Sequence, residues 1–143
     1  MKYEIGEANA IINSNIDDSF FINSINSFLH SIFYNLISNS LKYRDHSRDC
    51  NISIHVDFED KSVTLTFADN GIGIDLEKYK DKVFGLYKRF HKDVADGTGV
   101  GLHLIKEQIE TLGGNINVKS ELGKGTTFIV ELNEFEEIES TIN

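Results

Sequence analysis

The stretch that decides the fold is residues 62–73, Ser-Val-Thr-Leu-Thr-Phe-Ala-Asp-Asn-Gly-Ile-Gly. Val63, Leu65 and Phe67 alternate with less apolar residues, and this period of two predicts a β-strand with one core-facing side. Asp69 has the same parity, so its carboxylate is expected on the core side, where a carboxylate without partners is costly. The turn that follows at once contains glycines, which let the backbone approach a ligand closely.

The carboxylate of Asp69 has two interpretations. An acceptor on the floor of an apolar pocket suits an amino group on a flat ring such as adenine. The other interpretation is an Asx-turn, in which Asp69 caps its own loop. Thr126 shares the parity of Phe128 and Val130 on a later predicted strand, so its hydroxyl is expected on the same side as Asp69. The residues alone leave both interpretations open.

Working outward from this strand, helices and strand pairs fall in separate blocks. The predicted elements are strands at 10–16 and 19–24, a helix over 26–43, a strand pair with Ile52, Ile54, Val56, Phe58, Val63, Leu65 and Phe67 inward, a short helix over 76–82, a loop over 85–97, a helix over 100–112 and a hairpin of strands 115–120 and 126–132. His103 is expected on the exposed face of the last helix. This order predicts an α+β two-layer sandwich, one sheet with helices on one face.

Length and composition limit the possible classes of protein. The chain has 143 residues, which argues for a single domain over 1–143, with a core at about 10–132 and an acidic tail at 133–143. A net charge of −9 disfavours a nucleic-acid binder. The apolar runs are too short to span a bilayer, so we expect no membrane contact. The single Cys50 excludes an internal disulfide and fits a cytoplasmic location.

A row of polar side chains follows the first predicted helix. Asn35, Asn39 and Lys42 lie at i, i+4 and i+7 and therefore share one side of the helix. Two carboxamides and an ammonium can together bind a hard cation and a phosphate. The alternative is an ordinary solvated face, which the row by itself favours.

A second glycine-rich segment opens the helix over 100–112. Gly97-Thr98-Gly99-Val100-Gly101 can direct backbone N–H groups at phosphate oxygens, and the helix N-terminus favours an anion. The alternative is a flexible loop. The spacing matches neither the dinucleotide fingerprint nor the P-loop.

In their order along the chain, these motifs resemble those of sensor histidine kinases. The matching segments are Asn35–Tyr43 (the N box), Asp69–Ile74 (the first glycine box), Val83–Phe90 (the F box), Gly97–Leu102 (the second glycine box) and Gly123–Phe128 (the closing hairpin). The resemblance runs from about residue 20 to residue 132. It is to the catalytic, ATP-binding domain of two-component histidine kinases, within the gyrase, chaperone, histidine-kinase and mismatch-repair ATPase superfamily. The sequence departs from the pattern at Asp75 and at Leu132-Asn133, where the family often has proline.

This resemblance implies the Bergerat fold, a mixed sheet with helices on one face, and the cofactors ATP and Mg²⁺. At the base end, Asp69 would accept from the adenine amino group with Thr126 in support, and Gly71 and Gly73 would pass the backbone near the base. At the phosphate end the implied residues are Asn39 as the Mg²⁺ ligand, Asn35 beside it, Lys42 and Tyr43 near phosphate or ribose, Arg89 at the γ-phosphate, and Gly97, Thr98, Gly99, Gly101 and Leu102 around the phosphates. Asn35, Lys42 and Arg89 would be the catalytic residues.

The phosphoacceptor motif of the family is missing from this sequence. It needs a His followed by an acidic residue and a Pro, and the chain has no Pro. We therefore expect the accepting His on a separate dimerisation domain of a larger kinase, with a response regulator receiver domain as an indirect partner. Two rivals stay open, a hydrolytic conformational ATPase of the same superfamily and a nucleotide-binding or docking module without catalysis. Asn35 disfavours hydrolysis, because a carboxamide cannot take a proton from water at neutral pH.

Overall fold

The computed structural model describes residues 10–14, 27–59, 62–85 and 101–132. The elements in chain order are β1 (Ile11–Ser14), α1 (Ser27–Lys42), β2 (Asn51–Glu59), β3 (Ser62–Asp69), α2 (Leu76–Tyr79), α3 (Gly101–Thr111), β4 (Asn115–Glu121) and β5 (Gly125–Leu132). The predicted strand at 19–24, most of the predicted loop at 85–97 and the tail at 133–143 lie outside the described residues.

The described strands form one sheet in the order β1-β2-β3-β5-β4. β1 runs parallel to β2, whereas the other neighbouring pairs are antiparallel, so the sheet is mixed. β3 is central, and the register places Asp69 between Ile52 of β2 and Thr126 of β5. The common side of Asp69 and Thr126 that strand parity predicted is thus observed.

The core lies between the sheet and the two longer helices. Every second side chain is buried along β2 as far as Val56 and along β3 as far as Phe67. These apolar residues form one cluster with Ile32 and Leu36 of α1 and Ile105 and Ile109 of α3. The ring of Phe33 meets the ring of Phe67 edge-on, with 5.2 Å between centroids. Both helices therefore cover the same face of the sheet, and the predicted α+β two-layer sandwich is confirmed.

Two predicted orientations are wrong. Phe58 was expected inward, but its side chain is 57% exposed. β1 pairs only with Asn51–Ile54, so the far end of β2 has no neighbouring strand on its outer side among the described residues.

His103 was expected at the surface, but it is half-buried. Its Nδ1 atom lies 3.1 Å from the carbonyl oxygen of Phe84, because the turn after α2 packs against α3.

The remaining differences concern the ends of elements. α2 stops at Tyr79 and continues as turns, whereas the prediction carried it to residue 82. Asp75 caps this short helix by accepting from the Lys78 amide. None of the helices in the described part of the chain is long and apolar enough to cross a bilayer.

Candidate functional site

Asp69 ends β3, and three donors surround its carboxylate. Oδ1 accepts from the backbone amides of Gly71 at 2.9 Å and Thr126 at 3.2 Å. Oδ2 accepts from the Ser40 hydroxyl of α1 at 2.8 Å. The Asx-turn interpretation is therefore realised in the structure, together with the inward placement that strand parity predicted.

These three hydrogen bonds leave one acceptor position of the Asp69 carboxylate without a donor among the described residues. An ionised carboxylate has about four acceptor positions, and the three donors fill three of them. Burial raises the pKa of Asp69, and the hydrogen bonds from Gly71, Ser40 and Thr126 oppose that rise. Asp69 is thus an acceptor, fixed in orientation, with one acceptor position that no donor of the described residues fills.

The turn after Asp69 can be built only with glycine at two positions. The Ile72 amide donates to the Tyr43 carbonyl oxygen at 3.0 Å, and a Cβ atom on Gly71 would lie 2.5 Å from that same oxygen. Gly73 has φ +77°, and a Cβ atom there would collide with the carbonyl oxygen of Glu121. The turn therefore packs directly against the end of α1 and against β4. The close approach of this turn to a ligand stays a prediction.

Thr126 is buried next to Asp69, and Ser120 sets the direction of its hydroxyl. The Ser120 Oγ atom accepts from the Ile74 amide at 2.7 Å and donates to the Gly125 carbonyl oxygen at 2.8 Å. Because a serine hydroxyl has one proton, the 2.8 Å contact between Ser120 Oγ and Thr126 Oγ1 is a donation from Thr126. The Thr126 oxygen therefore presents lone pairs, and both side chains at this end of the sheet are acceptors.

The polar row of α1, which consists of Asn35, Asn39 and Lys42, reaches the start of α3 at Asn35. Asn35 donates through Nδ2 to the Ser31 carbonyl oxygen at 2.8 Å and to the Ser31 hydroxyl at 3.2 Å. Its Oδ1 faces Gly101, where a Cβ atom would approach to 2.9 Å. α1 thus carries Ser40 at the Asp69 end and Asn35 at the α3 end, and Tyr43 follows its last residue, so α1 links two regions far apart in sequence.

The other predicted site residues fall into three groups. Asn39 and Tyr43 are half-buried, and Lys42 is exposed at the end of α1. Leu102 is buried in the core behind the first turn of α3. Arg89, Gly97, Thr98 and Gly99 lie outside the described residues.

Two residues of this site were missed by the sequence reasoning, Ser40 and Ser120. Ser40 lies four residues after the buried Leu36, on the stripe that faces the sheet. Ser120 shares strand parity with Ile116 and Val118. Both serines occupy positions where the periodicity of the helix or strand predicts an apolar residue, and this departure could have identified them from the sequence.

Comparison with known proteins agrees with this architecture. The family profile described as histidine kinase-, DNA gyrase B- and HSP90-like ATPase matches residues 25–136. Sensor protein SrrB of Staphylococcus aureus is 39% identical over 110 residues, which cover 73% of this chain and 18% of SrrB. Cyanobacterial phytochrome A of a Nostoc species is 40% identical over 103 residues, 70% of this chain and 13% of that protein. The chain thus corresponds to only a small part of these relatives.

Solved structures show the same fold at low sequence identity. A mycobacterial sensor histidine kinase, MprB, has a TM-score of 0.71 at 20% identity, and the match covers 92% of this chain and 89% of that one. The full-length ShkA structure in complex with AMPPNP also gives 0.71 at 20% identity, covering 92% of this chain and 27% of ShkA.

The fold and the profile match together define an ATPase domain with a mixed sheet covered by helices on one face. The chain belongs to the histidine kinase-, DNA gyrase B- and HSP90-like ATPase family, and its relatives are sensor histidine kinases.

Proposed function

We propose that this chain binds Mg-ATP and positions the γ-phosphoryl group for transfer to a histidine on a separate dimerisation domain of a sensor histidine kinase. That kinase would be a cytoplasmic or membrane-anchored bacterial protein that passes the phosphoryl group on to a response regulator. The observation that carries the proposal is the Asp69 carboxylate, which three donors hold in place and which has one acceptor position that the described part of the chain leaves unfilled.

The base end of the site supports adenine recognition. The exocyclic amino group of adenine is a donor, and Asp69 and Thr126 are both acceptors. At Gly71 and Gly73 the place of a side chain is taken by the backbone of Tyr43 and Glu121, so the turn beside the two acceptors is held in place by contacts within the chain. Guanine carries an acceptor oxygen at the corresponding ring position, so the same pair of acceptors would disfavour it.

The phosphate end supports a triphosphate with a divalent cation. The α3 helix spans 11 residues, and its N-terminal amides and dipole favour an anion at Gly101. The amide oxygens of Asn35 and Asn39 are ligand types that Mg²⁺ accepts, and the residues described include no cluster of His, Cys, Asp or Glu that could hold a metal instead. We assign Asn39 as the Mg²⁺ ligand, with Asn35 beside it.

The residues assigned to phosphoryl transfer act by position and charge. Bound Mg²⁺ would neutralise charge that develops on the transferred group. Lys42 lies at the exposed end of the polar row, where it can offset phosphate charge, with Tyr43 near the ribose or phosphates. Arg89 keeps the role that the resemblance implies, as the cation at the γ-phosphate, and Gly97, Thr98 and Gly99 keep theirs as lining around the phosphates. The side chain of Leu102 belongs to the core, so only its backbone can serve the phosphates.

Asn35 favours transfer over hydrolysis. Its amide nitrogen is engaged with Ser31, and a carboxamide has no basic group that could deprotonate water. Slow ATP hydrolysis by the isolated chain is therefore expected. Rapid multiple-turnover release of phosphate would instead favour a hydrolytic ATPase. Failure to bind ATP would contradict both the kinase and the ATPase function.

Phosphoryl transfer itself can be tested with a chimera. Fusing this chain to a dimerisation domain that carries the acceptor histidine of a sensor histidine kinase and supplying ATP labelled at the γ-phosphate should give acid-labile, base-stable protein phosphate. The matched control is the same fusion carrying Asp69→Asn, which should be labelled more slowly when the ATP concentration lies below the dissociation constant of the unmodified fusion. Equal labelling rates of the two fusions at that concentration would contradict the proposed role of Asp69.

A further inference from the structure

The side chain of Arg48 makes hydrogen bonds that have no part in the proposed ATP site as described above. It lies in the loop between α1 and β2, and its side chain is 37% exposed, as a solvated surface cation would be. Its guanidinium nevertheless donates to three backbone carbonyl oxygens: Nε to Asn70 at 2.8 Å, and Nη2 to Gly71 at 2.9 Å and to Gly123 at 2.8 Å.

These carbonyls belong to two segments that are distant in sequence. Asn70 and Gly71 form the turn after Asp69, whereas Gly123 is at the tip of the β4–β5 hairpin that leads to Thr126. A backbone hydrogen bond from the Gly123 amide to the Ile72 carbonyl oxygen at 2.9 Å joins the turn to the hairpin tip. Arg48 thus adds to the connections between the turn and the hairpin, which also include the pairing of Asp69 with Thr126.

The geometry of this connection is specific to arginine. A guanidinium presents five N–H donors in a rigid plane, whereas an ammonium on a flexible stem is a compact point charge. Asp45 lies on the same loop with Oδ2 3.6 Å from Nη2 of Arg48. Hydrogen bonds from Ser47 lower the pKa of Asp45, so Asp45 is ionised at neutral pH and helps to orient the guanidinium.

We propose that Arg48 is a positioning residue for recognition of the base. It fixes the Asn70-Gly71 backbone against the hairpin. Since the Gly71 amide donates to the Asp69 carboxylate, this holds Asp69 and Thr126 in register as one acceptor surface. The inference rests on the proposed binding of ATP and adds a residue that touches neither the nucleotide nor the metal.

Three variants of the whole chain test this role by titration with ATP and with ADP. Arg48→Ala should weaken binding of both nucleotides by the same factor, about tenfold, because the base is common to them. Arg48→Lys should also weaken binding severalfold, because lysine keeps the positive charge but lacks the planar set of N–H donors of the guanidinium. Arg44→Ala is the matched control, since Arg44 donates to the Leu41 carbonyl oxygen in the last turn of the preceding helix α1, and it should bind as the unmodified chain does.

A readout without nucleotide separates this inference from the proposed function. In both Arg48 variants, hydrogen exchange at the amides of Ile72 and Gly123 should be faster by about tenfold, while the amides of Leu65 and Val130 in the sheet keep their rates. Unchanged exchange, or an Arg48→Lys variant that binds ATP as tightly as the unmodified chain, would overturn the positioning role. Absence of ATP binding by the unmodified chain would overturn the proposed function instead. If Arg48→Ala does not fold, Arg48→Lys decides the question.

Discussion

The hydroxyl of Ser40 donates a 2.8 Å hydrogen bond to Oδ2 of Asp69, and this contact joins the last turn of α1 to the end of the central strand β3. Ser40 is buried, with 4% of its surface exposed. The bond fixes one oxygen of the carboxylate, while two backbone amides fix the other. The direction in which Asp69 can accept from a ligand is therefore set by a helix residue 29 positions earlier in the chain.

Replacing Ser40 by Ala should destabilise the fold. The variant leaves a half-buried carboxylate without one of its donors, and loss of a donor to such a group costs about 1–3 kcal/mol. Urea unfolding at neutral pH measures the change. Ser53→Ala is the control, because Ser53 is exposed on β2. If the two variants have the same free energy of unfolding, the hydrogen bond between Ser40 and Asp69 does not contribute to the stability of the fold.

The raised pKa of Asp69 predicts a particular pH dependence. In the folded chain burial disfavours the charged form and raises the pKa of Asp69 above its ordinary value of 3.8. Between 3.8 and the raised pKa the folded state binds more protons at Asp69 than the unfolded state, so this group's contribution to the free energy of unfolding falls as pH rises through that window. Carboxyl NMR titration should place the midpoint above 3.8, and a midpoint below 3.8 would contradict the burial argument.

Nucleotide affinity should follow the same titration in the opposite sense. A protonated carboxyl presents one acceptor oxygen fewer, so ATP binding should weaken as pH falls through the raised pKa of Asp69. Isothermal titrations over a pH series can be compared with the NMR midpoint. Affinity that does not change across the NMR midpoint would exclude Asp69 from the binding contacts.

Two glycines with similar backbone angles should respond differently to alanine. Gly73 has φ +77° and Gly123 has φ +81°, so backbone strain of about 1–2 kcal/mol applies to both. A Cβ atom on Gly73 would also strike the Glu121 carbonyl oxygen, whereas one on Gly123 would meet nothing within 4 Å. Thermal unfolding should therefore show a larger loss for Gly73→Ala. Equal losses would mean that the turn does not pack against β4 as closely as described.

The contact between Gly101 and Asn35 predicts a local effect without a global one. A Cβ atom at position 101 would lie 2.9 Å from Oδ1 of Asn35, which is the tip of a side chain and can move aside. Gly101→Ala should thus leave the melting temperature nearly unchanged and weaken binding of ATP more than binding of ADP. If ATP and ADP are affected equally, Asn35 does not serve the γ-phosphate end.

Strand periodicity predicted the central features of the fold and of the acceptor site. The alternation of Val63, Leu65 and Phe67 gave the correct face for Asp69, and the same parity on β5 placed Thr126 beside it. These predictions succeed because side-chain direction in a strand is a local property of the backbone.

The features that were missed depend on contacts between distant segments. Arg48 belongs to a short polar loop, and only the folded chain brings two other segments to its guanidinium. Phe58 fits the apolar alternation of β2, but its exposure depends on where β1 stops pairing. Likewise, the half-buried position of His103 follows from the turn around Phe84 that packs against α3.

The central claim, that Asp69 reads the base of ATP, is tested most directly by isothermal titration of Mg-ATP into the chain and into its Asp69→Asn variant. Asparagine can keep Oδ1 facing the amides of Gly71 and Thr126 while Nδ2 donates to the Ser40 oxygen, so the fold should survive. The remaining amide hydrogen would then face the amino group of adenine, donor against donor. Asp57→Asn, on the exposed part of β2, is the control for the same change of charge.

We predict that the unmodified chain and the Asp57 variant bind Mg-ATP, and that the Asp69 variant binds it more weakly by roughly tenfold to a hundredfold. Binding by the Asp69 variant as tight as that of the unmodified chain would contradict the account.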